Sequence, residues 1–281
     1  MKCMSKELLS ILPQRVRSAL GQEDPVRLEE IRMGLNRPVI LKTSDGVKGL
    51  DVMADQSDLS FVINTASRYS PWNAETMARG YLTAPGGHRI GVCGEAVTQE
   101  GRVKGIRTLT SLCIRVAKDV EGVAVGADLR ESLLIIGPPG SGKTTMLRDL
   151  VRRISREKRG NICVVDERGE VFPRCGGKSC FESGDHTDIL TGCSKAEGLE
   201  MALRCMGPDW VAVDEITAEG DCQALVRAGW CGVKILATAH AAGLEDLYTR
   251  GVYRPLTETK LFPRVLVLGR DKSVRMERMT L

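Results

Sequence analysis

The sequence predicts an α/β fold: a parallel sheet covered by helices, preceded by a smaller α+β N-terminal domain. Three observations predict it. From about residue 126, short and almost continuously apolar segments alternate with helical patterns, as buried parallel strands and their crossover helices do. A glycine-rich loop, Gly137 to Thr144, joins one such strand to one such helix. Before Gly122 the alternation is absent, and short strands, helices and a Gly86-Gly87 turn are mixed. The expected domains are 1–125 and 126–281, in keeping with about one domain per 150 residues.

In the first domain, Leu8, Leu9, Leu12, Val16, Ala19 and Leu20 recur at helical spacing behind Ser5 as N-cap, and Pro13 makes this one kinked helix or two short ones. Val26–Ile31 and Val39–Lys42 read as strands around an Asn36-Arg37-Pro38 turn, and 57–68 and 73–80 as helices. Strands follow at His88–Val92 and Leu112–Val116, and Gly122, Gly126 and Asp128–Glu131 form a linker. In the second domain, strands at Leu133–Ile136, Ile162–Val165, Val211–Val213 and Val233–Ala237 alternate with helices at 142–156, 195–206 and 220–228. Residues 265–276 close the chain as a hairpin.

Composition narrows the function. The net charge of +4 and 4% aromatic content leave little for a nucleic-acid coat or a base-stacking platform, so nucleic acid is not an expected partner. No apolar run approaches the roughly 20 residues of a spanning helix, and residues 1–7 lack a signal-peptide core. A cytosolic chain is expected, with its ten cysteines as reduced thiols.

Gly137-Pro138-Pro139-Gly140-Ser141-Gly142-Lys143-Thr144, followed by Thr145, fits the G-x-x-x-x-G-K-[ST] phosphate loop at every fixed position. Its glycines let backbone N–H groups converge on phosphate oxygens at a helix N-terminus. Lys143 is placed to reach the β- and γ-phosphates of ATP, and the Thr144 hydroxyl to hold Mg²⁺. The strand Trp210–Val213 ends in Asp214-Glu215, with Asp214 suited to Mg²⁺ and Glu215 to polarising the attacking water. A second strand ends in Asp166-Glu167-Arg168, whose acids either approach the metal or form a surface cluster; a third ends in Thr238-Ala239-His240, suited to sensing the γ-phosphate. Cys175, Cys180, His186 and Cys193 lack the two tight ligand pairs usual in structural zinc sites and read as an irregular loop beside the nucleotide, with zinc as the alternative. Arg152, Arg153, Arg156, Lys158 and Arg159 read as cations complementing a helix C-terminus, with binding of nucleic acid or lipid head groups as the alternative. Strand alternation sets Arg89 on the face opposite Ile90 and Val92.

These segments, in this order, resemble the secretion and pilus ATPase superfamily: its Walker A at 137–144, an acidic box at Asp166-Glu167, Walker B in Arg204…Pro208-Asp209-Trp210-Val211…Asp214-Glu215, and a histidine box at Thr238-Ala239-His240-Ala241. Asp214 stands where that group commonly has Gly. Glu29-Glu30-Ile31-Arg32, Ser67-Arg68-Tyr69-Ser70, Gly80-Tyr81, Gly86-Gly87-His88-Arg89-Ile90-Gly91, Asp188–Cys193 and Lys195–Gly198 resemble the stage III sporulation AA family within it. The resemblance implies a RecA-like P-loop NTPase domain that hydrolyses Mg·ATP, with Lys143, Glu215, Asp166, Glu167, His240 and the N-domain arginines Arg89 and Arg115 as catalytic groups. It implies a ring, expected to be a hexamer. It also implies docking from the mother-cell cytoplasm on membrane-embedded stage III sporulation channel proteins. Two other classes share the phosphate loop: a nucleic-acid loader and a small-molecule kinase.

Overall fold

The computed structural model describes residues 6–279 except 22, 24–26, 68–79, 125, 176 and 177. Ser5, the expected helix at 73–80 and the segment 68–70 lie outside the described residues. The chain divides into two compact units, Met1–Lys118 with Pro173–Phe181, and Asp119–Phe172 with Glu182–Leu281.

The first unit opens with α1 (Lys6–Ile11) and α2 (Gln14–Leu20), two helices because Pro13 takes an extended ψ of 149° at the α2 N-cap. Strands β1 (Leu28–Gly34), β2 (Arg37–Thr43) and β3 (Gly46–Ala54) lead to α3 (Gln56–Ser67), and β4 (Tyr81–Thr83), β5 (Arg89–Gln99) and β6 (Arg102–Arg115) follow. They form one antiparallel sheet ordered β3-β2-β1-β6-β5-β4. One face buries Ile31, Met33, Leu41, Ile90 and Ile114 in the cluster that holds Leu8, Val16 and Leu20 of the first two helices and Leu59 and Val62 of α3.

Three expectations need correction here. The first turn is Leu35-Asn36, with Asn36 at φ 55°, and Pro38 belongs to β2 beside a register shift. β3 has no counterpart in the sequence reading because it is an exposed strand with little apolar alternation. β5 and β6 run far beyond the expected pieces: from Cys93 to Gln99 every residue is exposed, so no hydrophobic period marks them. Their turn, Glu100-Gly101, has both residues at positive φ, the geometry of a two-residue hairpin.

The second unit contains β7 (Leu133–Ile136), α4 (Lys143–Arg156) and β8 (Ile162–Asp166). After β8 the chain makes the short pair β9 (Arg174–Cys175) and β10 (Lys178–Ser179), which belongs to the first unit, and returns. Then come β11 (Thr187–Thr191), α5 (Lys195–Cys205), β12 (Trp210–Ile216), α6 (Glu219–Trp230), β13 (Lys234–Ala239), α7 (Leu244–Thr249), α8 (Arg254–Glu258), β14 (Arg264–Leu268) and β15 (Val274–Arg278). The sheet order is β11-β8-β12-β13-β7-β14-β15, parallel except for β15. Each of β7, β8 and β13 is buried over almost its whole length, which is why these strands read as continuous apolar runs. β11 escaped the sequence reading because it is a half-exposed edge strand of mixed polarity.

Helix α4 holds the segments through which the chain passes between units. Asp149 accepts from Gly122 N at 3.1 Å and Ala124 N at 2.8 Å. Arg148 donates to the carbonyls of Val171 (2.5 Å) and Glu170 (3.0 Å). Arg152, fully buried, donates to Glu182 O at 2.7 Å and Val120 O at 3.2 Å and pairs with Asp119. The expected boundary at 125/126 therefore lies just inside the segment that α4 fastens. Among the described residues no helix is long and apolar enough to cross a membrane.

Candidate nucleotide-binding site

Parallel strands deliver their carboxyl ends to one edge of the second unit's sheet, and the phosphate loop runs from the end of β7 to the start of α4. Gly137 is obligatory: a Cβ there would lie 2.6 Å from Ser141 Oγ and 2.7 Å from the Leu268 carbonyl. Gly140 and Gly142 hold φ of 77° and 101°, and no heavy atom outside their chain neighbours lies within 4 Å of where their Cβ would stand. The loop thus presents backbone to open space. The buried Ser141 hydroxyl has no partner among the described residues, an orphaned polar atom inside this cradle. Pro138 is half-buried, Pro139 exposed, and Thr145 half-buried in the first turn of α4.

Lys143 is 7% exposed. Its ammonium donates to the carbonyls of Gly137 (2.8 Å) and Pro138 (3.0 Å) and lies 3.1 Å from His240 Nδ1. Burial draws this lysine below its ordinary pKa, while Asp214 and Glu215 oppose the shift. With Nδ1 accepting from the ammonium, the His240 proton sits on Nε2, which faces Glu215 Oε1 at 3.2 Å. The other carboxylate oxygen of Glu215 meets Arg168 Nη1 at 3.3 Å. Lys143, His240, Glu215 and Arg168 form one continuous chain drawn from four segments of sequence.

A second set lies beside it. Thr144 Oγ1 donates to Asp214 Oδ2 at 2.7 Å, and Thr238 Oγ1 donates to Asp214 Oδ1 at 2.5 Å. The same Thr238 oxygen accepts from Glu215 N at 2.7 Å. That bond coincides with a break in the β12–β13 register after Val213 and with Glu215 at φ 53°. A non-glycine residue in the left-handed region is uncommon, and here it falls where the site needs a carboxylate turned off the strand line. One hydroxyl and one carboxylate are oxygen donors of the kind Mg²⁺ takes together with water and phosphate oxygens. Among the described residues no three His, Cys, Asp or Glu side chains converge as a protein-only metal site.

The second acidic pair is built differently. Asp166, 2% exposed, accepts from the backbone N–H groups of Glu170 (2.8 Å), Val171 (3.0 Å) and Phe172 (2.9 Å). Burial pushes its carboxyl up to about 6 against those hydrogen bonds. Glu167 accepts from the buried Lys195 at 2.6 Å, and Asp221 stands 4.0 Å from the same ammonium.

In the first unit, Arg89 and Arg115 are direct cross-strand neighbours, and Arg115 also faces Glu30. Arg89 lies over the Tyr81 ring at 4.2 Å, and Tyr81 pairs across the strands with Gly91. Ile90 and Val92 are buried on the opposite face, as alternation requires. Arg107 pairs with Glu95. The cations after α4's midpoint are engaged locally: Arg153 with the Ala124 carbonyl at 2.6 Å, Arg156 with Glu121 and Glu182, and Arg159 with Glu157.

The sequence reading did not assign Arg168, Lys195 or Lys272 to the site. Arg168 directly follows the acidic pair and carried a signal; Lys195 only follows a Ser194 cap. Lys272 donates to the Gly140 carbonyl at 2.7 Å from a hairpin turn distant in sequence.

The family model described as "Sporulation stage III, protein AA" matches residues 3–277. The chain is 36% identical over 280 residues to "Stage III sporulation protein AA" of Bacillus subtilis (strain 168), covering 95% of this chain and 91% of that protein. Among solved structures, the ATPase DotB of Legionella pneumophila matches with a TM-score of 0.57 at 16% identity, over 98% of this chain and 82% of DotB. The pilus retraction motor PilT with bound ADP matches with a TM-score of 0.60 at 15% identity, over 94% of this chain and 78% of PilT. These two matches show that the chain shares the fold of DotB and PilT. By the extent of the family match and the identity to the Bacillus protein, this chain belongs to the stage III sporulation protein AA family.

Proposed function

We propose that the chain is a Mg²⁺-dependent ATP hydrolase that acts as a motor. The observation that carries this reading is the chain Lys143–His240–Glu215–Arg168 at the mouth of the phosphate loop. Loop amides and Lys143 bind the β- and γ-phosphates. Thr144 and Asp214 would hold the Mg²⁺, which would neutralise charge on the phosphate oxygens. Glu215 orients water and accepts its proton, while His240 and Arg168 fix the two carboxylate oxygens. Lys143 and Glu215 share His240, so loss of the phosphate that Lys143 binds is felt at the carboxylate. Arg89 and Arg115 are proposed to stabilise the transition state in an assembled ring, by the forked contact guanidinium makes with phosphate.

Helix α4 begins at the loop and ends on the segments leading to the first unit, so a shift at the phosphates is passed to 119–124, 170–171 and 182. The Bacillus relative's name supports a role in sporulation, and the fold shared with DotB and PilT supports a motor. On that basis the ring, a hexamer, works from the mother-cell cytoplasm on membrane-embedded stage III sporulation channel proteins.

The test is hydrolysis of Mg·ATP by the full chain without added acceptor, which also separates it from a kinase. Lys143→Ala should abolish turnover and weaken nucleotide binding; turnover equal to the parent's defeats the assignment. Arg89→Ala should lower turnover on the order of 10³-fold, the lower end of the arginine effects in phosphoryl transfer, with Mg·ATP affinity kept. Stimulation by single-stranded DNA with a steep salt dependence would favour the nucleic-acid loader instead. Recovery of channel proteins with the chain from mildly solubilised sporulating cells tests the partner.

A further inference from the structure

The hairpin turn between β14 and β15 stands directly against the phosphate loop. β14 pairs in parallel with β7, Val267 opposite Ile136, so both strands reach the same sheet edge together. The close approach of Leu268 O to Gly137 is the continuation of that pairing. From the turn, Lys272, at φ 67°, extends its ammonium to the Gly140 carbonyl at 2.7 Å. Asp271, next in sequence, does not neutralise it: its carboxylate accepts from Ser273 N at 3.1 Å and Ser273 Oγ at 2.6 Å and braces the turn. Among the described residues the Lys272 ammonium has no carboxylate within ion-pair distance, and its hydrogen-bond partner is a neutral carbonyl. Lys143 is in the same condition at the other side of the loop, held by the carbonyls of Gly137 and Pro138.

The sheet order gives the two lysines different duties. β7 lies between β13 and β14. Asp214, Glu215, Thr238 and His240 all come from β12, β13 and the residue after it, on one side of β7, and Lys143 faces that side through His240. With Glu215 as the proposed water-activating carboxylate, the terminal phosphate belongs there. Lys272 comes from the opposite side, across β14, and meets the loop at Gly140, whose amide lies in the exposed part of the cradle. A triphosphate with its γ end at Glu215 runs its remaining phosphates along the loop toward β14.

On the reading of the site as an ATP-hydrolysing centre, we propose that Lys272 is a second phosphate-binding cation, which leaves the Gly140 carbonyl to contact the nucleoside-proximal phosphates of the bound nucleotide. A lysine suits this because its flexible stem carries a compact charge through a short swing, and each phosphate oxygen it meets is a stronger acceptor than a carbonyl. The contact is to phosphates that ATP and ADP share, so its loss weakens both alike, whereas loss of Lys143 falls hardest on the triphosphate.

The experiment is calorimetric titration of the full chain with Mg·ADP and with the non-hydrolysable triphosphate Mg·AMP-PNP. Lys272→Ala should raise both dissociation constants about tenfold, the effect of one charge-assisted hydrogen bond at a partly exposed site. Lys272→Arg should bind within about threefold of the parent, and Lys272→Gln should resemble the Ala variant; these two decide the matter if Lys272→Ala does not fold. Lys234→Ala removes an exposed lysine from the opposite edge of the sheet and should leave both constants unchanged. Parental affinity in Lys272→Ala and Lys272→Gln, tighter binding in either, or a loss confined to AMP-PNP overturns the proposal. A parent chain that binds neither nucleotide overturns the ATPase reading itself, a result distinct from any of these.

Discussion

Two neighbouring strands of one sheet, β8 and β12, both end in Val-Asp-Glu after valine or alanine, and they pair in register from Trp210 opposite Ile162 to Val213 opposite Val165. Their acids have opposite fates. Asp214 and Glu215 face the phosphate loop: one bonds two threonine hydroxyls, and the other is turned off the strand by a register break and a left-handed backbone. Asp166 closes the loop 170–172 onto itself with three backbone N–H groups, and Glu167 covers a buried lysine. The same dipeptide at the same sheet edge thus faces the phosphate loop in one case and holds its own following loop in the other. What separates them is the second element reaching each strand end: β13 brings Thr238 to β12, whereas β8 receives the returning backbone of its own loop.

The widest separation between the pairs should appear in turnover. Glu215→Gln keeps the hydrogen-bonding shape and removes the proton acceptor, so hydrolysis should fall roughly 10²- to 10⁴-fold with Mg·ATP still bound. Glu167→Gln should leave turnover within about threefold of the parent. Steady-state rates of both variants, with nucleotide binding measured in parallel, check the contrast; equal losses would merge the two pairs into one functional group.

Stability should separate the aspartates in the other direction. Asp166→Ala strands three buried or half-buried N–H groups, at about 1–3 kcal/mol for each left unpaired, and the loop's partial relaxation keeps the expected loss near 2–4 kcal/mol. Urea denaturation reads it directly. The wild-type carboxyl also carries a pH signature. Its native pKa of about 6 lies above the unfolded carboxylate value, so the native state binds the proton more tightly. Relative to Asp166→Asn, the parent should therefore lose stability as pH rises from about 4 through 6, on the order of 3 kcal/mol in full and constant above that range. A stability difference that does not vary between pH 4 and 7 would show that burial does not govern this carboxyl.

Legibility followed burial and locality. β7, β8, β12 and β13 are readable because parallel strands buried on both faces keep their polar residues to the strand ends, and Gly137 to Thr144 is readable because the whole motif lies in one short loop. The arm of β5 and β6 and the edge strands β3 and β11 were not, since an exposed strand leaves no hydrophobic period. Within the site, the sequence placed Asp166-Glu167 and Asp214-Glu215 alike at strand ends. It could not divide them, because the division depends on which distant hydroxyl or amide reaches each carboxylate. Arg168 carried a local signal, but its contact with Glu215, like that of Lys272 with the Gly140 carbonyl, crosses segments that only the folded sheet brings together. His240 was visible at its strand end, but its bridging of Lys143 and Glu215 is a property of three strands at once.

The smallest expected effect is also the sharpest check on Glu167. Lys195 is 5% exposed, and its ammonium has Glu167 at 2.6 Å and Asp221 at 4.0 Å. Removing one partner of a buried ion pair is costly when the remaining charge is stranded. Here it is not stranded, because Asp221 remains and Glu167 itself is about two-fifths exposed at its side chain. Glu167→Gln also keeps an oxygen able to accept from the ammonium. The expected loss is therefore about 1 kcal/mol or less, in the range of partly exposed pairs. Adding Asp221→Asn should make the loss more than additive, since the double variant leaves the buried ammonium with no countercharge at either position. The measurement is a double-mutant cycle by urea denaturation, with turnover followed in each variant. Strict additivity would mean that Lys195 is solvated rather than held by the two acids. A tenfold fall in turnover in Glu167→Gln with stability unchanged would move Glu167 from the loop's framework into the reaction, and the contrast between the two strand ends would fail at that residue.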